Sequence, residues 1–193
     1  ARMFSPSTAR NRDPIRRSFI AHMPHKGTVL EIGSGTGEHA VHIAAALPDL
    51  RWLPGDPDAA SRASIAAWAA HSGLTNIDPP HAVDVAIAGW NAAFPPMDGL
   101  VSINMIHIAP FAAAEGLFAG ALELLKPDGA LFLYGPFSRD GAHTAPSNAA
   151  FDQSLKARDA RWGVRDLDLD IVPLARSAGF DLSVLEPMPA NNF

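Results

Sequence analysis

The stretch VLEIGSGTGEHA, which runs from Val29 to Ala40, decides the fold of this chain. It begins with an apolar run of the kind that forms a buried parallel strand. Three glycines then alternate with small polar residues, and a run with helical spacing follows the last glycine. The stretch therefore predicts a strand, a tight turn and a helix, and such a turn is where α/β proteins bind nucleotide-like ligands.

The composition is that of a globular protein of about one domain. The 193 residues are 48% hydrophobic and 18% charged, which excludes an intrinsically disordered chain, and the formal net charge is -5. This acidic balance gives little attraction to nucleic acids or anionic membranes. The absence of cysteine excludes disulfides, thiolate metal sites and cysteine nucleophiles. No run resembles a signal peptide or a membrane span, so we expect a cytoplasmic protein with neither nucleic acid nor membrane as a partner.

Strand and helix patterns alternate along most of the chain. Six short apolar runs predict strands: TVLEIG, RWLPGD, PPHAVDV, DGLVSIN, ALFLYG and DLSVLEP. Helical spacing predicts a helix over about 58–71 and another over FAAAEGLFAGALELL. Near the start, NRDPIRRSFIAHMP predicts a short helix that Asp13 caps and Pro14 opens. The alternation predicts an α/β fold, with helices on both faces of a parallel sheet and ligands beyond the carboxyl ends of its strands.

The alternation lapses over Pro136–Asp166, a polar segment of about thirty residues after the fifth predicted strand. Part of it, from Ser147 to about Arg158, has helical spacing with Ser147 as the cap. Trp162 is a large apolar side chain for which a disordered linker has no use. We therefore expect residues 1–193 to form one domain in which residues 136–166 are an ordered cover over the ligand site.

The glycine spacing disfavours two common nucleotide sites. A P-loop needs four residues between its glycines and then Lys-Ser or Lys-Thr, and this turn has no lysine. A dinucleotide-binding turn needs a third glycine where this chain has Glu38, whose carboxylate would repel a pyrophosphate. The glycines are instead Gly33, Gly35 and Gly37, with Glu31 two residues ahead of the first.

The turn EIGSGTG resembles the first motif of class I S-adenosylmethionine-dependent methyltransferases, an acid followed by alternating glycines. The resemblance implies their Rossmann-like fold, a three-layer sandwich around a mostly parallel seven-stranded sheet. It implies S-adenosyl-L-methionine as the cofactor and S-adenosyl-L-homocysteine as the product. It also implies that the ribose hydroxyls bind Asp56, with Asp58 as the alternative, and that the adenine contacts Asp84 and the backbone amide of Val85. The implied cofactor-binding set is Glu31, Gly33, Ser34, Gly35, Gly37, Asp56, Asp84, Val85 and Asn104.

A narrower resemblance covers nearly the whole chain. The segments FSPSTARNRDPI, INMIHIAPF, HTAPSNAAFD, RWGVRD and MPANN resemble the methyltransferase-like 26 family. The resemblance implies that several residues of these motifs lie around the active site, as catalytic or pocket residues: Arg10, Asn11, His143, Asn148, Arg158, Arg165 and Asn191. That family continues past PANN into a final antiparallel strand between the fifth and sixth strands, so we expect the natural protein to be longer than this chain.

Two histidines are candidates for general-base catalysis. His107 follows the fourth predicted strand, and in the family fold this position lies beside the methyl-donor pocket. It is either a proton acceptor or a hydrogen-bonded core residue. His143 lies in the expected cover and leaves the same two alternatives open. The arginines Arg10, Arg158 and Arg165 either recognise a carboxylate of the methionine moiety or the substrate, or are solvated surface charges.

No metal site is expected. His39 and His42 lie three residues apart on a helix, a spacing that permits them to share a metal ion. The sequence offers no obvious third ligand, so a structural role is the interpretation adopted for both.

We expect an enzyme that transfers a methyl group to a small-molecule acceptor, with a protein side chain as the next candidate. The transfer mainly requires donor and acceptor to be held in line, so a dedicated base is optional. The chief alternative is a non-catalytic module that binds S-adenosylmethionine for interaction or regulation, and Glu38 disfavours a nicotinamide-dependent reductase. The acidic charge, the absence of cysteine and the lack of a Pro-Pro-aromatic motif after Asn104 disfavour a nucleic acid acceptor. The oligomeric state stays open.

Overall fold

The computed structural model describes all residues from 1 to 193. The helices are α1 (Pro6–His22), α2 (Glu38–Ala46), α3 (Ala59–Ser72), α4 (Phe111–Leu124), α5 (Pro146–Arg158) and α6 (Val172–Ser177). The strands are β1 (Gly27–Ile32), β2 (Leu50–Gly55), β3 (Met97–Ile103) and β4 (Leu125–Tyr134). Short 3-10 turns lie at Trp90–Ala93, Met105–His107 and Pro189–Asn191, and a π-helical turn lies at Leu167–Ile171.

The four strands form one sheet in the order β2-β1-β3-β4. β1 pairs in parallel with both neighbours, so that Val29 lies opposite Trp52 on β2 and Gly99 on β3. The apolar side chains of β1 and β3 are buried, as is typical of central strands in a parallel sheet. The structure therefore confirms the predicted α/β fold and places β1 between two other strands, with the glycine turn at its carboxyl end.

The chain divides into two compact units. The first unit comprises Ala1–Asp84, Phe94–Ile103 and Leu124–Leu133, and the second comprises Val85–Ala93, Asn104–Glu123 and Tyr134–Phe193. The first unit contains β1, β2, β3 and most of β4, whereas the second contains α5, α6 and the segment expected to be a cover. The organisation as one domain with a cover over the site stays a prediction.

The third predicted strand, PPHAVDV, is present only as two bridges. Ile77 bridges Trp52 and His81 bridges Gly55, both in parallel orientation along β2. The two prolines between these bridges, at positions 79 and 80, have no N–H group to donate to a ladder, which interrupts regular pairing. The prediction of a full strand is therefore wrong, although the segment does run beside β2.

The sixth predicted strand, DLSVLEP, does not form. Residues 180–187 have no regular structure, and Leu182 and Val184 are 50% and 49% exposed. Alternating apolar residues make a strand only where a neighbouring edge completes the backbone hydrogen bonds, and no such partner pairs with this segment.

Two predicted helix caps are also wrong. Asp13 and Pro14 lie inside α1, which begins at Pro6, and the Asp13 carboxylate instead contacts His42 Nε2 at 2.6 Å. α5 begins at Pro146 rather than at Ser147, and no side chain caps it. In both helices proline takes the first turn, where its missing N–H is not needed.

The two helices with the clearest sequence patterns are confirmed. The run predicted over about 58–71 is α3, and the Asp58 carboxylate caps it by accepting from the backbone N–H of Ser61 at 2.8 Å. The run FAAAEGLFAGALELL forms α4. No helix in the structure combines the length and the apolar character that crossing a membrane requires.

Candidate functional site

The turn after β1 needs glycine at each of its three glycine positions. Gly33, Gly35 and Gly37 have φ angles of 72°, 58° and 94°, a region that residues with a side chain rarely adopt. At Gly37 there is also no room, because a Cβ would lie 2.8 Å from the backbone Cα of Ile65 on α3. At Gly35 a Cβ would meet no atom within 4 Å. The turn therefore packs tightly against α3 at one end and leaves open space beside its middle glycine.

Asp56 ties the end of β2 to this turn. Its carboxylate accepts from the backbone N–H of Gly35 and from that of Asp58, each at 2.9 Å. Ser34 adds a second tie, because its hydroxyl accepts from the N–H of Gly55 at 3.0 Å. Burial raises the pKa of Asp56, although the two backbone hydrogen bonds act in the opposite direction. Glu31, Ser34, Gly35 and Asp56, all named from the sequence, are thus brought together.

Glu31 is a buried carboxyl group at the end of β1. Its Oε1 accepts from Trp52 Nε1 at 3.2 Å, and its side chain is 1% exposed. Burial raises the pKa of Glu31 to about 7, although hydrogen bonds from Ser34 and Trp52 oppose this rise. The charge of Glu31 therefore changes near neutral pH.

The other two acids named as cofactor ligands are on the surface of the first unit. Asp58 is exposed, and its carboxylate serves as the cap of α3 described above. Asp84 is exposed near the end of the segment that runs beside β2. Sequence reasoning missed Arg62, whose Nη1 donates to the carbonyls of Asp56 and Pro57 at 3.0 and 2.8 Å. Its position one turn into α3 after Asp58 was the available signal.

In the second unit, Asn104 sits at a strained bend directly after β3. Its φ is 63°, a left-handed conformation that asparagine adopts more readily than most residues. Its backbone N–H donates to the carbonyl of Tyr134 at 2.8 Å. Val85, the other cofactor residue named in this unit, is buried.

His107 is completely buried in the second unit. Its Nδ1 accepts from the backbone N–H of Arg165 at 2.9 Å, so the neutral ring carries its proton on Nε2. Burial, and then the charge of Arg165, lower the pKa of His107 to about 3. Nε2 has no hydrogen-bond partner and faces Gly135, where a Cβ would overlap it. These features argue against the expectation that His107 takes a proton from an acceptor.

The guanidinium of Arg165 donates its hydrogen bonds to backbone carbonyls of its own unit. Its Nε donates to the carbonyl of Ile106 at 3.0 Å, and its Nη2 donates to Ala109 at 2.7 Å and to Arg161 at 2.9 Å. Its guanidinium also lies 5.4 Å from the ring of Phe111. These bonds tie the segment RWGVRD to the turn that contains His107, and they argue against Arg165 as a receptor for a ligand carboxylate.

His143 lies beside a carboxylate that the sequence did not single out. Its Nε2 is 3.5 Å from Oδ2 of Asp152, and its side chain is 32% exposed. Asp152 also accepts from Lys156 Nζ and from the backbone N–H of Val164, both at 2.8 Å. Burial raises the pKa of Asp152, but these hydrogen bonds outweigh it and hold that pKa below its usual value. The i,i+4 spacing of Asp152 and Lys156 on α5 was the signal that could have identified it.

The remaining candidate pocket residues are only partly brought together. Asn148 Nδ2 donates to the carbonyl of Asn191 at 3.0 Å, and the guanidinium of Arg158 lies 5.0 Å from the ring of Trp162. All four of these residues lie in the second unit. Arg10 and Asn11 lie on α1 in the first unit, Arg10 exposed and Asn11 with a buried, unpartnered Oδ1.

The structure brings no set of metal ligands together. His39 is mostly buried, and burial lowers its pKa to about 4, whereas His42 contacts Asp13. No group of three or more histidine, aspartate or glutamate side chains is placed to hold a metal ion.

Known proteins resemble this chain in sequence and in fold. A family model described as "Protein of unknown function (DUF938)" matches residues 2–193. An O-methyltransferase family protein from Burkholderia thailandensis has a similar structure, with a TM-score of 0.76 and 17% identity over 90% of this chain and 52% of that chain. An O-methyltransferase family 2 protein from Planctomyces limnophilus in complex with apigenin has a TM-score of 0.77 and 18% identity, over 96% of this chain and 57% of that chain. A methyltransferase of calicheamicin biosynthesis in its SAH-bound form has a TM-score of 0.75 and 17% identity, over 96% of this chain and 52% of that chain.

These structural similarities concern the fold. At 17% and 18% identity they show the Rossmann-like α/β fold of methyltransferases that the family resemblance implied. The chain spans about half the length of the structures that it matches, 52% and 57% in these examples.

Proposed function

Because the chain belongs to the family described as "Protein of unknown function (DUF938)", we propose its function from its own residues and from the fold that it shares with methyltransferases. We propose that the protein is an S-adenosylmethionine-dependent methyltransferase with a small molecule as the acceptor. The resemblance to the methyltransferase-like 26 family, stated above on five motifs, is part of the same proposal. So is a cytoplasmic location.

The observation that carries the proposal is the open space at Gly35 beside the buried carboxylate of Asp56. A carboxylate offers about four lone-pair positions, and backbone amides occupy two of those of Asp56. Two positions are therefore left for the two hydroxyls of a ribose. The absence of both a P-loop lysine and a third spaced glycine favours a ligand without phosphate, and S-adenosylmethionine is such a ligand.

Other residues of the first unit complete the proposed cofactor site. Gly33 and Gly37 shape the turn, and hydrogen bonds of Glu31 and Ser34 hold its amino-terminal side against β2. Asp84 contacts the adenine amino group, the role that the methyltransferase resemblance assigns it. The cofactor roles of Val85 and Asn104, which lie in the second unit, stay predictions of that resemblance. When bound, the cofactor supplies a methyl group on a sulfonium, which needs no further activation.

The proposed acceptor is a small molecule that loses a proton as it is methylated. The His143–Asp152 pair fits the role of general base better than His107 does, because His143 is partly exposed and His107 is not. The carboxylate orients the imidazole and stabilises the imidazolium that forms when the ring takes a proton. Arg158, which is exposed, then contacts an anionic group of the acceptor, with Asn148 and Asn191 as further polar contacts.

The first experiment is calorimetric titration with S-adenosylmethionine and S-adenosylhomocysteine, with NAD as the control ligand. We expect both adenosyl ligands to bind and NAD not to bind. Asp56→Ala should weaken binding by about tenfold or more, because it removes hydrogen bonds to a charged acceptor. Asp58→Ala is the matched control, which should lower the stability of α3 and leave binding unchanged.

A second readout identifies the ribose as the contact. The 2′-deoxyadenosyl analogue of S-adenosylhomocysteine should bind the wild-type protein more weakly than the parent compound, and Asp56→Ala should abolish this difference. Failure of the folded wild-type protein to bind either adenosyl ligand would overturn the proposed function. Binding without any transfer of labelled methyl groups into a metabolite extract would instead favour the non-catalytic module.

A further inference from the structure

The first residues of the chain are fastened to α3. We call residues 2–5 the amino-terminal strap. Within it, the backbone N–H of Met3 donates to Ser64 Oγ at 2.8 Å, and the Met3 carbonyl accepts from Trp68 Nε1 at 2.8 Å. The ring of Phe4 packs edge-on against the ring of Trp68 with centroids 5.2 Å apart, and the guanidinium of Arg2 lies 4.7 Å from the centroid of the Trp68 ring. The strap therefore has a defined position on α3.

Ser64 connects this strap to the glycine turn. Its side chain is completely buried, and its hydroxyl donates to the carbonyl of Thr36 at 2.7 Å. Thr36 lies between Gly35 and Gly37. A hydroxyl has one proton to donate, and Ser64 gives it to the turn while its lone pair accepts from the strap. One buried hydroxyl thus joins two segments that are far apart in sequence.

Glu38 makes a second connection between the same two segments. Its Oε1 accepts from the backbone N–H of Ser5 at 3.0 Å, and its own N–H donates to Thr36 Oγ1 at 3.2 Å. Glu38 is buried at the start of α2. The acid that stands where a dinucleotide-binding turn has glycine therefore serves to anchor the strap beside the turn.

We propose that Ser64 is a positioning residue through which the amino-terminal strap holds the glycine turn in its ligand-binding conformation. Three glycines with positive φ make the isolated turn costly to order, and bonds from Ser64 and Glu38 supply order before a ligand arrives. Ligand binding and strap docking then favour each other by the same factor. The part that concerns S-adenosylhomocysteine rests on the proposed function; the coupling of strap and turn does not.

The test compares Ser64→Ala with Ser72→Ala in the 193-residue chain. Ser72 is on the same helix, and its hydroxyl bonds only to nearby backbone groups, those of Ala69 and Leu74. Amide hydrogen exchange is measured at residues 2–5 and 33–37 without ligand, and the dissociation constant for S-adenosylhomocysteine is measured by calorimetry. Phe4→Ala is a second variant that loosens the strap from outside, since Phe4 is 68% exposed and its loss leaves the core intact.

Ser64→Ala should speed exchange in both the strap and the turn and weaken S-adenosylhomocysteine binding about tenfold, with Ser72→Ala unchanged in both. Phe4→Ala should speed amide exchange in the glycine turn, although Phe4 makes no contact with that turn. Faster exchange in the strap of Phe4→Ala with an unchanged turn would overturn the proposal, as would unchanged affinity in a folded Ser64→Ala protein. If the wild-type protein bound no adenosyl ligand, the proposed function would fail, and the exchange data alone would still decide the coupling.

Discussion

Glu31 shows at the scale of one residue how burial changes a carboxyl group. Its pKa rises to about 7, so the folded protein holds a proton there that the unfolded chain releases near pH 4.5. The contribution of this group to stability is therefore fully present below pH 4.5 and is lost as the pH rises through 7. The isosteric substitution Glu31→Gln removes this titration and keeps an acceptor for Trp52.

We expect Glu31→Gln to be more stable than wild type above pH 7 by up to about 3 kcal/mol. The difference should shrink as the pH falls towards 4.5, because the wild-type carboxyl then becomes neutral. Urea unfolding of both proteins between pH 5 and 8 measures it. A difference that does not change with pH would show that Glu31 keeps an ordinary pKa.

Asp56 and His107 differ in how far their surroundings could be predicted from the sequence. The methyltransferase resemblance singled out Asp56 as the acid at the end of the second predicted strand, and in the structure its carboxylate contacts the glycine turn. No local pattern in the sequence predicted that His107 would be buried with Nδ1 bound to Arg165, because that partner lies 58 residues away along the chain. The sequence pattern of a histidine after a strand is the same whether its side chain is buried or exposed to solvent.

At the scale of elements, the segment RWGVRD is fastened to the turn Met105–His107. Gly163 N–H donates to the His107 carbonyl at 3.0 Å, and Arg165 donates to the carbonyls of Ile106, within the turn, and Ala109, just after it. A planar guanidinium fork reaches several carbonyls at once, whereas an ammonium group is a single point of attachment. The segment is thus ordered by backbone contacts rather than by a run of apolar residues.

Arg165→Lys should therefore lower the free energy of unfolding by about 1–3 kcal/mol, because it leaves the partly buried carbonyls of Ile106 and Ala109 without their donors. Arg158→Lys is the matched control, since Arg158 lies over Trp162 on the surface and should tolerate the exchange. Denaturant unfolding measures the stability, and the nitrogen NMR signals of His107 report whether Nδ1 still accepts a hydrogen bond. Equal stability of the two variants would contradict the assigned role of Arg165.

At the scale of the whole molecule, the charge balance sets which partners are attracted over a distance. Twenty acidic residues against fifteen basic ones give the formal net charge of -5. A phosphate backbone is bound chiefly through basic groups that replace its counterions. The overall charge therefore opposes association with nucleic acid, in agreement with the small-molecule acceptor that we propose.

We expect the protein not to bind labelled duplex or single-stranded DNA in about 0.15 M salt. Fluorescence anisotropy with a basic DNA-binding protein as the positive control measures it. Tight binding that weakens steeply with added salt would contradict this expectation and would make nucleic acid a candidate acceptor.

The sequence by itself determined the strand–turn–helix at Val29–Ala40, the parallel arrangement around it and the two clearest helices. These features follow from local patterns: apolar runs, helical spacing and glycines that alone tolerate the required φ angles. It misplaced the caps at Asp13 and Ser147, because prolines nearby opened both helices earlier than the polar residues suggested.

Only the tertiary structure decided how distant residues meet. The strand predicted over DLSVLEP needed a pairing edge. The contacts of His107 with Arg165 and of Ser64 with Met3 and Thr36 join separate segments of the chain. Burial and long-range hydrogen bonds depend on the packing of the entire chain, and they fix which acid or histidine is charged, occupied or accessible. The kind of turn was therefore a property of the sequence, and the roles of the side chains around it were a property of the fold.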